Sequence, residues 1–233
     1  SIIGRQDSHT PTMGAVGAFA SAYSGGSLPL SILSIGRYWV DVPRISLFRI
    51  EGKLRKGVFA RDVALYINGR VGQRGGLGKT IEFAGSYVRD LSMDMRFTLC
   101  NMGTEMGATA SYIQPDRTTL EWVKGRAKIP IKVCETDADY EYDETQDFDV
   151  SMLEPQVAIP NAPDNVKPIG EVEGRHIDQA YLGSCASGRL EDIAAAAAVM
   201  KGRKVHPDVR FIVTPGSREV LMAATRLGYI DVL

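Results

Sequence analysis

Apolar positions along this chain keep changing period. Between Ile45 and Ile50 they crowd into a β-branched and aromatic run that predicts a strand, and past Gly52 and Gly57 the spacing from Phe59 to Val71 is that of a helix. A short strand is expected at 80–83, then a helix from about Met93 to Met106, with Ser92 as N-cap and Gly107 as its stop. A strand at 109–113 and a helix after Asp116 continue the alternation. Ahead of all this, Val16, Phe19 and Ala20 stand at helical spacing after the turn-like Thr10-Pro11-Thr12, which predicts a loop feeding a closely packed helix rich in small residues.

The far end repeats the alternation. Strands are expected at 177–182 and 209–213, and helices at 190–200 and 218–227, ended by Gly202 and Gly228. This βαβα unit puts its turns, Gly183-Ser184-Cys185 and Thr214-Pro215-Gly216-Ser217, at the carboxyl ends of strands, where open α/β sheets bind ligands. Between the two alternating regions, Glu135 to Asp149 holds eight carboxylates and no Lys or Arg, and Pro155, Pro160, Pro163 and Pro168 follow. Clustered like charge resists compaction, so residues 135–150 read as a solvated acidic linker. The class is α/β, with mainly parallel sheets flanked by helices, in two main portions.

Composition narrows the function. The 233 residues are 44% hydrophobic and 24% charged with net charge −1, a globular balance with no global field to recruit nucleic acid or an anionic membrane. The longest apolar stretch, near Ile193 to Met200, is too short to span a bilayer. The start, Ser1-Ile2-Ile3-Gly4-Arg5, has neither signal-peptide nor transit-peptide character and lacks an initiator Met, so the chain is expected to begin inside a larger protein. Three widely spaced cysteines, Cys100, Cys134 and Cys185, argue against a disulfide framework and fit a reducing cytoplasm.

Asp7-Ser8-His9-Thr10 concentrates a carboxylate, a hydroxyl and one of three histidines in a turn. An imidazole oriented by a carboxylate transfers protons near neutrality, although the same four residues also suit a plain capped turn. Asn101 and Glu105, four apart on a predicted helix, share a face and can serve one site; the rival reading of Glu105 is an exposed helix carboxylate. Cys185 at a strand-to-helix turn is a candidate thiolate for a metal or an electrophile, against the plainer reading of a half-buried structural cysteine. Gly72 to Thr80 has the wrong spacing for a phosphate-binding loop and reads as an ordinary loop.

In order, these segments resemble the aconitase superfamily, and within it the 3-isopropylmalate dehydratase large subunits. The carrying residues are Asp7 to Thr12 with Gly14 and Gly17, Gly57-Val58, Ile81 to Gly85, Cys100-Asn101-Met102 with Glu105, Leu153 to Ala158, Pro163 to Val166, and Gly183-Ser184-Cys185 leading into Arg189 to Asp192. The resemblance implies that residues 1–43 are the tail of a first α/β domain, 44–134 a second domain and 151–233 the start of a third.

It also implies a hydro-lyase that removes water from a hydroxy-di- or tricarboxylate and adds it back at the adjacent carbon, in leucine biosynthesis for the preferred member. A [4Fe-4S] cluster with one open iron would act as Lewis acid on the substrate hydroxyl. By position, Cys185 would be a cluster ligand and Asn101 its hydrogen-bonding neighbour. Asp7 would contact the iron-bound oxygen, and His9 with Glu105 would form the proton relay. The partners implied are the small-molecule hydroxy-carboxylate and a small subunit carrying a swivelling domain.

Departures accompany the likeness. The family's Cys-x-x-Cys pair, its other two cluster ligands, would lie beyond Leu233, and Ala186-Ser187 replaces the usual Thr-Asn. Within the class, homoaconitase or a related hydroxyacid dehydratase is the alternative substrate reading. A cluster-free remnant that acts as a binding or assembly module is the rival from another class.

Overall fold

The computed structural model describes residues 1–23 and 27–233, with the side chains of 27–29 left aside. The chain folds as two compact units, Ser1–Glu171 and Val172–Leu233.

The first unit opens with β1 (Ile2–Arg5), a 3-10 helix (Thr10–Val16) and β2 (Phe19–Ala22), which pairs parallel to β1 from Ile2 opposite Phe19 to Arg5 opposite Ala22. The helix expected around Phe19 and Ala20 is therefore a strand. Gly17, at φ 72°, closes the 3-10 helix in the left-handed conformation, and the chain leaves it extended. Helix α1 (Ser27–Ile35) follows.

Next come β3 (Arg44–Glu51), α2 (Ala60–Val71), β4 (Lys79–Ala84), the single turn α3 (Ser86–Arg89), α4 (Met93–Met102) with a 3-10 extension (Gly103–Met106), β5 (Ala110–Tyr112) and α5 (Arg117–Lys124). These match the expected alternation closely. Ser92 and Asp116 cap α4 and α5 by accepting from Met95 N–H and Thr119 N–H.

The acidic stretch departs from the expected linker. Glu144–Asp149 forms β6, which pairs parallel with β3 and completes a four-stranded sheet ordered β5-β4-β3-β6. Alternation explains how so acidic a segment is tolerated at a sheet edge: Phe148 is buried against Phe48, while Asp147 and Asp149 point outward. Arg49 pairs with Asp147, and Lys79 with Glu144 and Asp143, so the charge is partly neutralised across strands. The short antiparallel pair β7 (Gln156–Ala158) and β8 (Val166–Pro168) packs beside α2.

The core of this unit sits on the sheet face carrying Phe48, Ile50, Ile81 and Phe83, all buried. A buried arginine fastens the helices beneath it. Arg96, fully inaccessible, forms a fork of hydrogen bonds with Asp116 at 2.6 and 2.7 Å and reaches the Leu91 and Arg89 carbonyls.

The second unit holds β9 (Gln179–Gly183), α6 (Ser184–Ser187), α7 (Leu190–Met200), β10 (Arg210–Thr214), α8 (Arg218–Arg226) and α9 (Tyr229–Val232), with β9 and β10 parallel. This is the βαβα unit expected from the pattern. No described helix is long and apolar enough to cross a membrane.

Candidate active site

A site forms where β1 ends and the chain turns into the first 3-10 helix. Residues 6–9 make that turn, and the Asp7 carboxylate organises it by accepting the His9 backbone N–H at 2.7 Å. The Thr10 and Thr12 hydroxyls donate to the Asp7 and His9 carbonyls, which locks the start of the 3-10 helix.

The turn is pressed onto α4 and its extension by small residues. A Cβ on Gly14 would lie 1.8 Å from the Ser111 carbonyl oxygen, and one on Gly103 would lie 1.9 Å from Ser111 Oγ. At Gly14 the obstacle is backbone and excludes any side chain, whereas at Gly103 it is the Ser111 hydroxyl, so the first 3-10 helix and β5 approach closely with the extension of α4 packed against the same serine.

That approach creates three polar rungs. Asn101 Nδ2 donates to Thr12 Oγ1 at 2.8 Å, the Thr104 hydroxyl donates to the Ser8 carbonyl at 2.9 Å, and His9 Nε2 lies 3.3 Å from Glu105 Oε1. Asn101 and Glu105 thus meet the same neighbouring helix, although Glu105 lies in the 3-10 extension beyond α4. Asn101 is fully buried, and its amide commits a donor to Thr12, so it positions the turn from beneath.

On the outer side, Ser8 Oγ lies 3.0 Å from His9 Nδ1. An ionised Glu105 accepts only, so Nε2 carries a proton; in the neutral imidazole Nδ1 is then the acceptor, and Ser8 donates to it. The side chains of His9 and Glu105 are 28% and 32% accessible, open to a ligand yet held on one side by protein. The group is therefore an oriented imidazole–carboxylate pair with a hydroxyl at its outer edge, at the carboxyl end of a parallel strand pair.

Asp7, His9, Asn101 and Glu105 are brought together in the first unit. Thr12 and Thr104 were not singled out from the sequence. Their signal was present as threonines at positions that share a face with His9 and Asn101, but without the facing element it carries no meaning.

Cys185 belongs to the second unit, within the single turn α6 and exposed. Ser184 before it adopts φ 75°, a left-handed conformation that costs a non-glycine residue about 1–3 kcal/mol and points to a turn fixed by its surroundings. Arg189 donates to the Cys185 carbonyl at 3.3 Å. His176 pairs instead with Asp178 at 3.2 Å.

Of the other thiols, Cys100 is completely buried and its pKa is pushed far up by desolvation, and Cys134 is exposed in the first unit. Among the described residues no three His, Cys, Asp or Glu side chains gather into a metal-holding group. An iron–sulfur cluster needs several thiolates, and among the described residues neither unit by itself gathers them: Cys100 and Cys134 lie in the first and Cys185 in the second.

The loop from Gly72 to Gly78 shows no phosphate cradle. The Asp164 carboxylate accepts from the Gln73 backbone and side chain at 3.2 and 2.9 Å, bonds that hold its pKa below the ordinary value, and a carboxylate there repels an anion.

Comparison with known proteins adds a family and relatives. The Aconitase family (aconitate hydratase) matches residues 1–176 and 170–233. The 3-isopropylmalate dehydratase large subunit 1 of Methanopyrus kandleri is 46% identical over 227 residues, 97% of this chain and 54% of that protein. A probable methanogen homoaconitase large subunit of Methanosarcina mazei is 44% identical over 227 residues, 97% and 57% of the two chains. The 3-isopropylmalate dehydratase large subunit of Aquifex aeolicus is 43% identical over 231 residues, 97% and 53%. The chain spans about half the length of the curated relatives it matches.

Proposed function

Because the chain belongs to the aconitase family, we propose that it forms part of the large subunit of a hydro-lyase that moves a hydroxyl between adjacent carbons of a hydroxy-di- or tricarboxylate by dehydration and rehydration. The preferred activity is that of 3-isopropylmalate dehydratase, in leucine biosynthesis, with a small subunit as partner. The similarity to large subunits of that name supports this reading. The observation that carries it is the His9–Glu105 pair, joined across two elements at the carboxyl end of β1.

The chemistry asked of that pair follows from its geometry. Removing water requires a proton for the departing hydroxyl, and adding it back requires the same group to accept one. Glu105 fixes the ring and stabilises the imidazolium, so His9 can hold the proton between the two half-reactions. Ser8, exposed and hydrogen-bonded to Nδ1, is the outlet assigned to the proton in this reading. Asp7 commits Oδ1 to the turn, and its second carboxylate oxygen is the one assigned to the substrate in this reading. Asn101 and Thr12 keep the turn from drifting, which matters because a small misplacement of a proton donor costs rate steeply.

The cofactor this reading assigns to the complete protein is a [4Fe-4S] cluster, with Cys185 as one of its thiolate ligands. In the complete two-subunit protein, His9→Ala is expected to slow turnover of 3-isopropylmalate by about 10²–10⁴-fold while iron–sulfur absorbance is retained. Cys185→Ser is expected to abolish that absorbance. Unchanged turnover in the His9 variant removes the relay, and a retained cluster in the Cys185 variant removes the ligand assignment.

The similarity to a homoaconitase large subunit, 44% identical over the same share of the chain, supports a second substrate reading. Comparing kcat/KM for homoaconitate and 3-isopropylmalate on the same preparation decides between them.

A further inference from the structure

The four-stranded sheet has a second face, and its chemistry differs from the first. On β4, Thr80 and Glu82 alternate with Ile81 and Phe83, so they point away from the phenylalanine core. Their neighbours across the sheet on this face are Ile45 and Leu47 on β3 and Ala110 and Tyr112 on β5. The chain from Cys134 to Tyr142 lies over part of the face. It is fastened by the Tyr112 hydroxyl on the Cys134 carbonyl at 3.0 Å and by Asp143 N–H on the Ile45 carbonyl at 3.0 Å.

Between this covering segment, β2 and the sheet lies a cavity of about 460 Å³. The volume is within the range of small-molecule pockets, roughly 300–1,000 Å³. Phe19, Ile45, Tyr112 and Tyr140 supply apolar and aromatic wall.

Glu82 is the polar feature of the wall. Its residue is 4% exposed, and its carboxylate accepts from the Tyr142 hydroxyl at 3.2 Å and the Thr136 hydroxyl at 3.4 and 3.5 Å. Two hydroxyls are a meagre replacement for the hydration of a carboxylate, and burial accordingly raises its pKa. Glu135 and Asp137 join Glu82 in the lining, which contains no Lys, Arg or His among the described residues. The result is an apolar, aromatic recess of one charge sign, built around a buried acid beside which no described residue of the lining supplies a cationic side chain.

We propose that this cavity is a binding site for a small organic cation, a primary ammonium on an apolar or aromatic body, with the ammonium at Glu82 and the body against Phe19, Ile45 and the two tyrosines. Charge selects the class. The ammonium replaces the missing counter-ion and its donors reach the lone pairs that the hydroxyls leave open. The tyrosine faces add cation–π attraction. An amino acid is disfavoured, because its own carboxylate would meet Glu135 and Asp137. The site is separate from the His9–Glu105 pair and does not depend on the proposed reaction: none of Asp7, His9, Asn101 or Glu105 lines it.

The test is calorimetric titration of the complete two-subunit protein with benzylamine, with benzyl alcohol as its neutral counterpart and phenylalanine as the zwitterion. Benzylamine is expected to bind one to one and about tenfold more tightly than either comparator, the ratio that one charge-assisted hydrogen bond supplies. Glu82→Gln keeps an acceptor for Tyr142 and Thr136 and is expected to erase that preference. Equal affinity for amine and alcohol, absence of saturable binding, or an undiminished preference in Glu82→Gln overturns the proposal. Should that variant not fold, the exposed rim double variant Glu135→Gln/Asp137→Asn serves in its place: about two- to threefold weaker amine binding, the effect of losing two screened charges, supports the site, and unchanged binding overturns it.

Discussion

The two units place their candidate chemistry on very different foundations. Among the largest fully buried side chains of the described residues, Arg96, Phe48, Phe83, Ile50, Ile67 and Ile81 belong to the first unit and only Ile193 to the second. In the first unit the His9 turn is held by buried polar rungs and by glycines in contact with β5. In the second, the Cys185 turn stands on a two-stranded sheet whose Tyr181, and whose nearby helix residues Val199 and Leu227, remain more than half exposed. The lesson is about preorganisation. A proton-transferring pair works only if its geometry is fixed beforehand, and the first unit fixes it with its own residues. A single thiol on a thinly packed scaffold takes its final geometry from whatever else packs there.

The most disruptive way to probe this contrast is to push the His9 turn off its support. Gly14→Ala places a methyl 1.8 Å from the Ser111 carbonyl, which nothing but a backbone shift relieves, and the shift also breaks the hydrogen bond from Ile113 N–H to the Gly14 carbonyl. Overpacking against backbone is expected to cost about 3 kcal/mol or more, seen as a fall of roughly 6–12 °C in the melting of the first unit. Hydrogen exchange should show the loss in residues 1–171 with residues 172–233 unaffected. Equal loss in both would mean one cooperative body and would end the comparison.

The converse substitution is Ile193→Ala. Removing the main buried side chain of the second unit is expected to cost about 2–3 kcal/mol, toward the lower end for such a change because a thin core collapses readily around the gap. Protection should fall in residues 172–233 alone, and the His9 turn should keep its exchange rates. A matching loss around residues 7–16 would show that the first unit leans on the second.

How much of this was legible in the sequence follows from what each signal measures. Alternation and capping report on local backbone choices, so β3, α2, β4, α4, β5, α5 and the whole second βαβα unit could be read from periods, Ser92, Asp116 and terminal glycines. The fold class and the family resemblance stand for the same reason: ordered short motifs survive in sequence. Two elements misled. Phe19–Ala22 has helical spacing but pairs with β1, and no local signal announces a partner seventeen residues earlier. Glu144–Asp149 has a linker's charge but holds its place at the edge of the sheet through buried Phe148 and cross-strand cations. The site was legible as residue types in Asp7, His9, Asn101 and Glu105, whereas Thr12, Thr104 and the buried acid Glu82 acquire meaning only from tertiary neighbours.

The smallest expected effect concerns pH and again separates the two faces of the first unit. Burial raises the folded-state pKa of Glu82, with the Tyr142 and Thr136 hydroxyls drawing it only partly back. A carboxyl that binds its proton more tightly when folded stabilises the fold fully below its unfolded pKa, about 4.3, and this contribution is lost as pH rises through the higher folded value. The stability of the first unit should therefore decline from about pH 4.5 upward, as Glu82 loses its proton through that raised folded value. Glu82→Gln should flatten that decline and leave the chain slightly more stable than the parent at pH 7, since the amide needs no counter-ion. Urea midpoints for parent and variant between about pH 4.5 and 7.5 measure it. Parallel curves would mean that Glu82 ionises freely despite its burial, and that its face of the sheet is as well solvated as the turn that holds His9.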